Sequence, residues 1–238
     1  MSEDARNDPF VKAFPSALRA AIIAVAIATP AAAVTPRQII ADAAFHARDK
    51  PTALAQLAEA ERMAAAQIAR DPANRDARLL QAMAIGYRGK LGHSRRDALA
   101  ARQRFEALVA ADPRDAEAIG AVGTWHLDSV IELGGLVAGM AIGAKKATGL
   151  AMMDRAVALG GRRAFYPGLA ALLRLAIDPA DPRGRQLAEM ASAALTPEPL
   201  DRQMQAGAAA LLPALRVGDQ DSVRRLARLA LPFGRLKR

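Results

Sequence analysis

One helical pattern recurs three times along the chain and limits what the chain can fold into. Each copy places small and apolar residues on one face of a helix and ends at a helix breaker. A helix of this kind cannot bury its apolar face alone, so it has to stack on its neighbours. The pattern therefore predicts an array of stacked helix pairs. The three copies are Ala60, Ala64, Ile68 and Pro72; Ala101, Phe105, Leu108, Val109 and Pro113; and Gly149, Met153, Ala156, Val157 and Gly161.

The composition favours helices over strands. Of the 238 residues, 52% are hydrophobic but only 4% are aromatic, and alanine and leucine fill most of the apolar runs. Such runs have a high helix propensity and offer a sheet little to pack. We therefore expect an all-α protein, namely a right-handed α-solenoid of antiparallel helix hairpins with about ten helices.

Prolines, glycines and capping residues divide the chain into these helices. Ser94 is a predicted N-cap, and Gly86, Gly89 and Gly92 predict a loop just before it. The predicted helices cover residues 37–48, 51–70, 75–87, 95–110, 115–133, 148–159, 163–177, 183–195, 199–216 and 220–231.

Between the fifth and sixth of these helices lies an apolar stretch that is rich in glycine. Gly135, Gly139 and Gly143 recur every four residues, and Ala147 extends the series. A ridge of small residues on a helix allows close approach of another helix. We interpret residues 133–144 as a buried or partner-contacting helix that is too short to span a membrane. Peripheral insertion into a membrane is the alternative.

The N-terminal segment differs from the rest of the chain. Residues 20–29 form a short apolar run with Lys12 and Arg19 before it, and Ala31 to Ala33 after it fit an A-x-A cleavage site. We predict that residues 1–34 are a signal peptide or an N-terminal hydrophobic helix, and that residues 35–238 form a single helical domain. A signal peptide implies export to the periplasm. An uncleaved inner-membrane anchor is the alternative.

The charges and the absence of cysteine exclude several classes of function. Lysine and arginine total 33 against 24 acidic residues, a net charge of +9, but the basic residues are scattered. A nucleic-acid-binding face concentrates its positive charge beside stacking aromatic residues, so the composition argues against nucleic acid as a partner. Because the chain has no cysteine, disulfides and thiolate zinc sites are excluded.

The clearest copy of the pattern resembles a known repeat. Ala101, Phe105 and Pro113 are spaced as in the second helix of a tetratricopeptide repeat, a unit of about 34 residues. The motif has a small residue at the position where this copy has Leu108, and the later copy has the small residue Ala156 there. The copies lie 41 residues apart from Pro72 to Pro113 and 48 apart from Pro113 to Gly161. Over residues 50–180 the chain is similar to bacterial tetratricopeptide proteins with degenerate repeats, and the resemblance implies a groove that binds a protein or peptide.

The densest group of functional residue types lies on one predicted helix, in the sequence Gly123-Thr-Trp-His-Leu-Asp. The candidate partner-binding residues are Trp125, His126, Asp128 and Glu132. Adjacent helical residues point about 100° apart, so His126 should face away from the other three. Two interpretations remain open. The group is a polar and aromatic patch that grips a peptide on the concave surface, or the tryptophan is packed between repeats with a hydrogen-bonded histidine at its edge.

No motif of a catalytic or metal site accompanies this group. His46, His93 and His126 are far apart in sequence, and no H-E-x-x-H occurs. Ser94 and Ser129 lack the G-x-S-x-G context of a nucleophile, so we interpret them as a cap and a surface residue. We therefore predict no catalytic, cofactor-binding or metal-binding residues.

The expected function is a non-catalytic scaffold in the cell envelope that binds a protein or peptide. The first alternative is a membrane-anchored accessory subunit of an envelope complex, which would contact the membrane through the N-terminal segment. The second alternative is an enzyme whose site lies in the groove beside Trp125, His126, Asp128 and Glu132.

Overall fold

A computed structural model describes residues 34–236, so most of the predicted signal peptide or anchor, residues 1–33, lies outside the described residues. Residues 34–236 form eleven α-helices that pack in neighbouring pairs, and no strand beyond a single bridge between Arg163 and Leu195. The predicted all-α solenoid is confirmed. The helices are α1 (Pro36–Phe45), α2 (Lys50–Arg70), α3 (Arg75–Gly92), α4 (Arg95–Ala111), α5 (Ala116–Leu133), α6 (Gly135–Ile142), α7 (Lys146–Leu159), α8 (Phe165–Ile177), α9 (Pro182–Ser192), α10 (Pro199–Val217) and α11 (Gln220–Ala230).

Short polar side chains start most of these helices. Ser94 accepts a hydrogen bond from the backbone N–H of Asp97 at 3.2 Å, which confirms it as the N-cap of α4. Asp49, Asn74 and Asp115 cap α2, α3 and α5 in the same way. These bonds satisfy N–H groups that have no partner within their own helix.

The repeated sequence pattern marks the buried faces of α2, α4 and α7. In α4 the buried residues are Ala101, Phe105 and Leu108, and in α7 they are Gly149, Met153 and Ala156. α2 buries Ala60 and Ala64 together with two further apolar residues. Each of these helices packs against the helices on either side of it in the chain or across the α6 insertion. The small residues allow close approach, and the larger ones fill the space between helices.

The loop predicted at Gly86, Gly89 and Gly92 is wrong, because α3 continues through all three glycines and ends at Gly92. A Cβ atom on Gly89 would lie 2.9 Å from the backbone nitrogen of Ala98, and one on Gly86 would lie 3.1 Å from the Cβ of Ala101. These two glycines therefore allow α4 to cross close to α3. Helix-packing glycines and loop glycines look alike in a sequence.

Alanine substitutions at Gly89 and Gly92 should have opposite effects on stability. We expect Gly89→Ala to lower the free energy of unfolding by about 1–3 kcal/mol, because the new methyl group overpacks the contact with α4. A Cβ on Gly92 meets nothing within 4 Å. Gly92→Ala should therefore be neutral or stabilise by up to about 1 kcal/mol. Urea denaturation of both variants measures the difference, and equal effects would contradict the assigned helix contact.

The glycine ridge predicted at residues 135–147 does not exist as one helix face. Gly143 ends α6 with φ of +72°, and Ala147 belongs to α7. A Cβ on Gly135 would meet nothing within 4 Å, so this glycine allows no close helix contact. The interpretation of this stretch as a buried helix is also wrong, since α6 buries only Ala138 and Ile142. Contact with a partner stays a prediction.

The last described residues connect the two ends of the array. Phe233 donates its backbone N–H to the carbonyl of Ala44 in α1 at 2.7 Å, and its ring lies edge-on to Tyr87 of α3 at 5.0 Å between centroids. The backbone of Phe233 has φ of +63°, which is costly for a residue with a side chain and is held here by this packing. Residues 231–236 therefore form a closing segment between α11 and the first helices.

None of the helices within residues 34–236 combines the length and the apolar character needed to cross a bilayer.

Candidate functional site

A groove of about 460 Å³ lies between the helices. Residues of α1, α3, α4, α5, α6, α8 and α10 line it, together with Pro232 of the closing segment. Its volume falls in the range of pockets that hold ligands in proteins. Most of its wall is apolar, including Ile40, Phe45, Leu80, Met83, Leu169 and Met204.

A charged cluster lies in the groove where α5 passes α3. The Lys90 ammonium is 2.6 Å from a carboxylate oxygen of Asp128 and 3.5 Å from one of Glu132. Lys90 also donates to the carbonyl of Pro232 at 3.4 Å, which ties the cluster to the closing segment. Burial and the nearby Asp128 carboxylate raise the pKa of the Tyr87 phenol, so Tyr87 stays protonated in the groove. The cluster is a polar, mostly shielded part of a largely apolar groove.

A second charged cluster lies toward the start of α5. Glu117 pairs with Arg37 of α1 at 2.5 Å and with Arg75 of α3 at 3.0 Å, and Arg75 also binds Asp115. Burial opposes ionisation of Glu117, but the two arginines outweigh it and lower the pKa of the carboxyl group. Glu117 and Glu132 are separated by about 22 Å along α5 at 1.5 Å per residue. The two charged clusters therefore lie about this far apart along the groove.

Trp125 packs between helices and also borders the groove. It is 8% exposed, its indole N–H donates to the carbonyl of Ala98 at 2.8 Å, and the Arg102 guanidinium lies 5.3 Å from the ring centroid. The ring is thus buried, and its indole N–H is hydrogen-bonded within the fold. Of the two interpretations of this residue, these contacts favour packing, here between helices. Asp128 and Glu132 also line the groove.

His126 lies on the other side of α5, as the 100° rotation between neighbours predicts. It is 2% exposed, and its Nδ1 accepts a hydrogen bond from the backbone N–H of Lys145 at 3.1 Å. It borders a separate, smaller cavity of about 200 Å³ with Arg102, Glu106 and Lys145. The four candidate residues therefore do not form one site: Trp125, Asp128 and Glu132 border the groove, and His126 does not.

The buried His126 should make the protein less stable in mild acid. Burial, and then the positive charge of Arg102, lower the pKa of His126 to about 4, whereas the unfolded chain has a pKa of about 6.5. The unfolded state therefore binds more protons between these values, so folding stability is lost as the pH falls from 6.5 to 4.

We expect this loss to be about 3 kcal/mol in the wild type and absent from a His126→Gln variant, which keeps an acceptor for Lys145. Urea titrations at several pH values measure the slope of the unfolding free energy against pH. Carboxylates titrate in both proteins, so only the difference between the two slopes reports on His126. Identical slopes would show that His126 is not buried in its neutral form.

The other candidate chemical groups lie apart. The described residues contain no cluster of three histidine, aspartate or glutamate side chains that could hold a metal ion. Ser129 is not a surface residue as predicted, since it is half-buried at the groove and its hydroxyl donates to the carbonyl of Trp125 at 2.7 Å.

The sequence interpretation missed Tyr87, Lys90 and the closing segment. The three glycines around Lys90 predict a loop there. If the helix continues instead, the spacing of three residues places Tyr87 and Lys90 on the same helix face. Phe233 carries no periodic signal that could have placed it against α1.

Comparisons of this chain with protein-family models, with curated proteins and with solved structures found no match.

Proposed function

We propose that this protein is a non-catalytic binding scaffold, built from irregular tetratricopeptide-like repeats, whose groove holds an extended segment of a protein or peptide partner. The observation that carries the proposal is the groove along α5, with its apolar wall and two charged clusters. Apolar walls provide affinity, and a few fixed polar groups provide orientation.

The dimensions of the groove favour an extended segment over a folded domain. The stretch of about 22 Å between the two charged clusters accommodates six or seven extended residues at roughly 3.3 Å each. Pro232 of the closing segment lines the groove, and the next residue, Phe233, packs against α1 and α3. A chain terminus or an unfolded loop of the partner fits a groove of this size.

The side chains of the groove favour binding over catalysis. Asp128 and Glu132 are engaged by Lys90, and His126, the residue of this group best suited to proton transfer, lies on the opposite face of α5. This arrangement weakens the alternative of a groove-sited enzyme that uses these residues. We propose that no cofactor takes part.

Site-specific photo-crosslinking tests the proposed binding site. A photoreactive amino acid in place of Ser129 lies in the groove, and the same amino acid in place of Val217, which is 78% exposed, lies outside it. We expect illumination of the producing cells to yield a discrete adduct from position 129 and none from position 217. An Ala121→Trp change, which fills the groove, should abolish the adduct while circular dichroism confirms that the helices are retained. Adducts of equal yield from both positions, or an adduct that survives the filled groove, would refute the proposal.

The cellular location is a second part of the proposal. We propose that residues 1–34 direct the chain to the periplasm, and the alternative is that they anchor an accessory subunit in the inner membrane. The apolar run at residues 20–29 followed by Ala31 to Ala33 supports export. Mass spectrometry of the mature N-terminus distinguishes the two. A start near Val34 or Thr35 supports export, and an intact N-terminus supports the anchor.

A further inference from the structure

The end of α5 and the exposed side of α6 carry the largest cluster of exposed apolar side chains among the described residues. Of the nine large apolar residues that are exposed within residues 34–236, four lie between positions 133 and 140. We call these four residues the α6 patch. They are Leu133 (41% exposed), Leu136 (77%), Val137 (49%) and Met140 (74%).

The α6 patch is not a side effect of core packing. The inward residues of α6, Ala138 and Ile142, are buried and pack against α4 and α5, so the fold needs no further apolar residue on this helix. Leu136 and Met140 are one turn apart and point outward together. α6 carries no charged residue. The largest exposed apolar patch of a protein is often a contact surface, even at a few hundred Å².

Exposed cations surround the same helix. The Arg95 side chain donates to the carbonyl of Ala141 at 2.8 Å, so it lies against the C-terminal turn of α6. Lys145 and Lys146 follow α6 within four residues and are exposed, as is Arg96 beside Arg95. An apolar centre with a basic rim is complementary to a surface that is apolar inside and anionic at its boundary.

The size of the α6 patch argues for a bilayer over a protein partner. Four partly exposed side chains present a few hundred Å² at most, whereas each partner in a specific protein complex buries about 600 Å² or more. Shallow insertion into a membrane requires no such matched surface, because apolar contact and attraction to anionic head groups add together.

We propose that the α6 patch docks this protein onto an anionic lipid bilayer, with Leu136 and Met140 inserted below the head groups and Arg95, Lys145 and Lys146 against the lipid phosphates. Leu133 and Val137 belong both to the patch and to the wall of the groove. Docking therefore places one mouth of the groove at the membrane surface. The proposal is independent of what the groove binds.

Single-cysteine labelling tests the docking without interference from the apolar run at residues 20–29. The chain has no cysteine, so Met140→Cys and Val217→Cys each carry one environment-sensitive fluorophore at an exposed site. With vesicles of equal parts phosphatidylcholine and phosphatidylglycerol, we expect a blue shift and quenching by lipid-borne nitroxide at position 140 only. The label at position 217 should stay in water.

Vesicle sedimentation of the full chain provides the matched mutational test. We expect Leu136→Ser with Met140→Ser to lower the bound fraction about tenfold relative to the control pair Met190→Ser with Val217→Ser, which changes two exposed apolar residues elsewhere. Lys145→Gln with Lys146→Gln should remove most of the salt-dependent part of binding.

Two results would overturn the proposal: a fluorophore at position 140 that still reports water in the presence of vesicles, or equal sedimentation of both serine pairs. So would binding of the α6 patch to a protein partner that displaces it from vesicles.

Discussion

The Phe105→Ala variant is expected to lose about 3–5 kcal/mol of unfolding free energy, which is a large share of the stability of a typical domain. Phe105 is 5% exposed and lies on α4 in a cluster with residues of α3 and α5, including Leu79 and Trp125. Removing its ring leaves a cavity where three helices meet, because the helix backbones cannot collapse fully into the space. Urea denaturation followed by circular dichroism measures the loss.

A position on the same helix provides the control for Phe105. Gln103 is exposed on α4, and its replacement by alanine should change stability by less than about 0.5 kcal/mol. If Phe105→Ala were as mild as Gln103→Ala, the face defined by the repeated pattern would not be the packing face of α4. The stacked architecture would then be wrong at its best-defined repeat.

The second large effect is expected at Asp201, which is fully buried at the start of α10. Its carboxylate accepts hydrogen bonds from the backbone N–H groups of Phe165 and Glu198 at 3.0 and 3.1 Å, and it pairs with Arg163 at 3.2 Å. We expect Asp201→Ala to cost about 3–5 kcal/mol, since it leaves two N–H groups without an acceptor and removes the buried partner of the Arg163 guanidinium. Thermal and urea denaturation both report this loss.

Glu198 provides a comparison, because it pairs with the same arginine from an exposed position. Its carboxylate lies 3.1 Å from Arg163 but is 48% exposed, so solvent screens the pair. Glu198→Ala should cost no more than about 1 kcal/mol. Equal losses at Asp201 and Glu198 would show that the Asp201 carboxylate does not hold the α7–α8 connection to α10.

The helices were predictable because local signals fix them. Prolines and N-caps specify where α2 and α4 begin and end, and the small-residue face specifies which side of α2, α4 and α7 is buried. All of this information lies within one helix. The same local reading failed at Gly86 and Gly89. Those glycines leave room for the neighbouring helix α4, and no property of their own segment reveals that α4 crosses there.

The candidate site was predictable only in part, for the same reason. The rotation along α5 correctly separates His126 from Asp128, since that is a property of a single helix. Lys90 and Pro232 reach the groove from α3 and from the closing segment, and their meeting with Asp128 depends on the path of the whole array. A single sequence contains no signal for contacts between residues 142 positions apart.

Thiol footprinting in the producing cells tests the central claim, that the groove is the binding site, most directly. A Ser129→Cys variant places the only thiol in the groove, and a Val217→Cys variant places it on an exposed surface outside the groove. The rate of modification by a small membrane-permeant reagent is compared between cells and the purified protein. The account predicts that position 129 reacts much more slowly in cells than in the purified protein, because a partner occupies the groove, while position 217 reacts at similar rates in both. Equal protection at the two positions, or none at position 129, would contradict it.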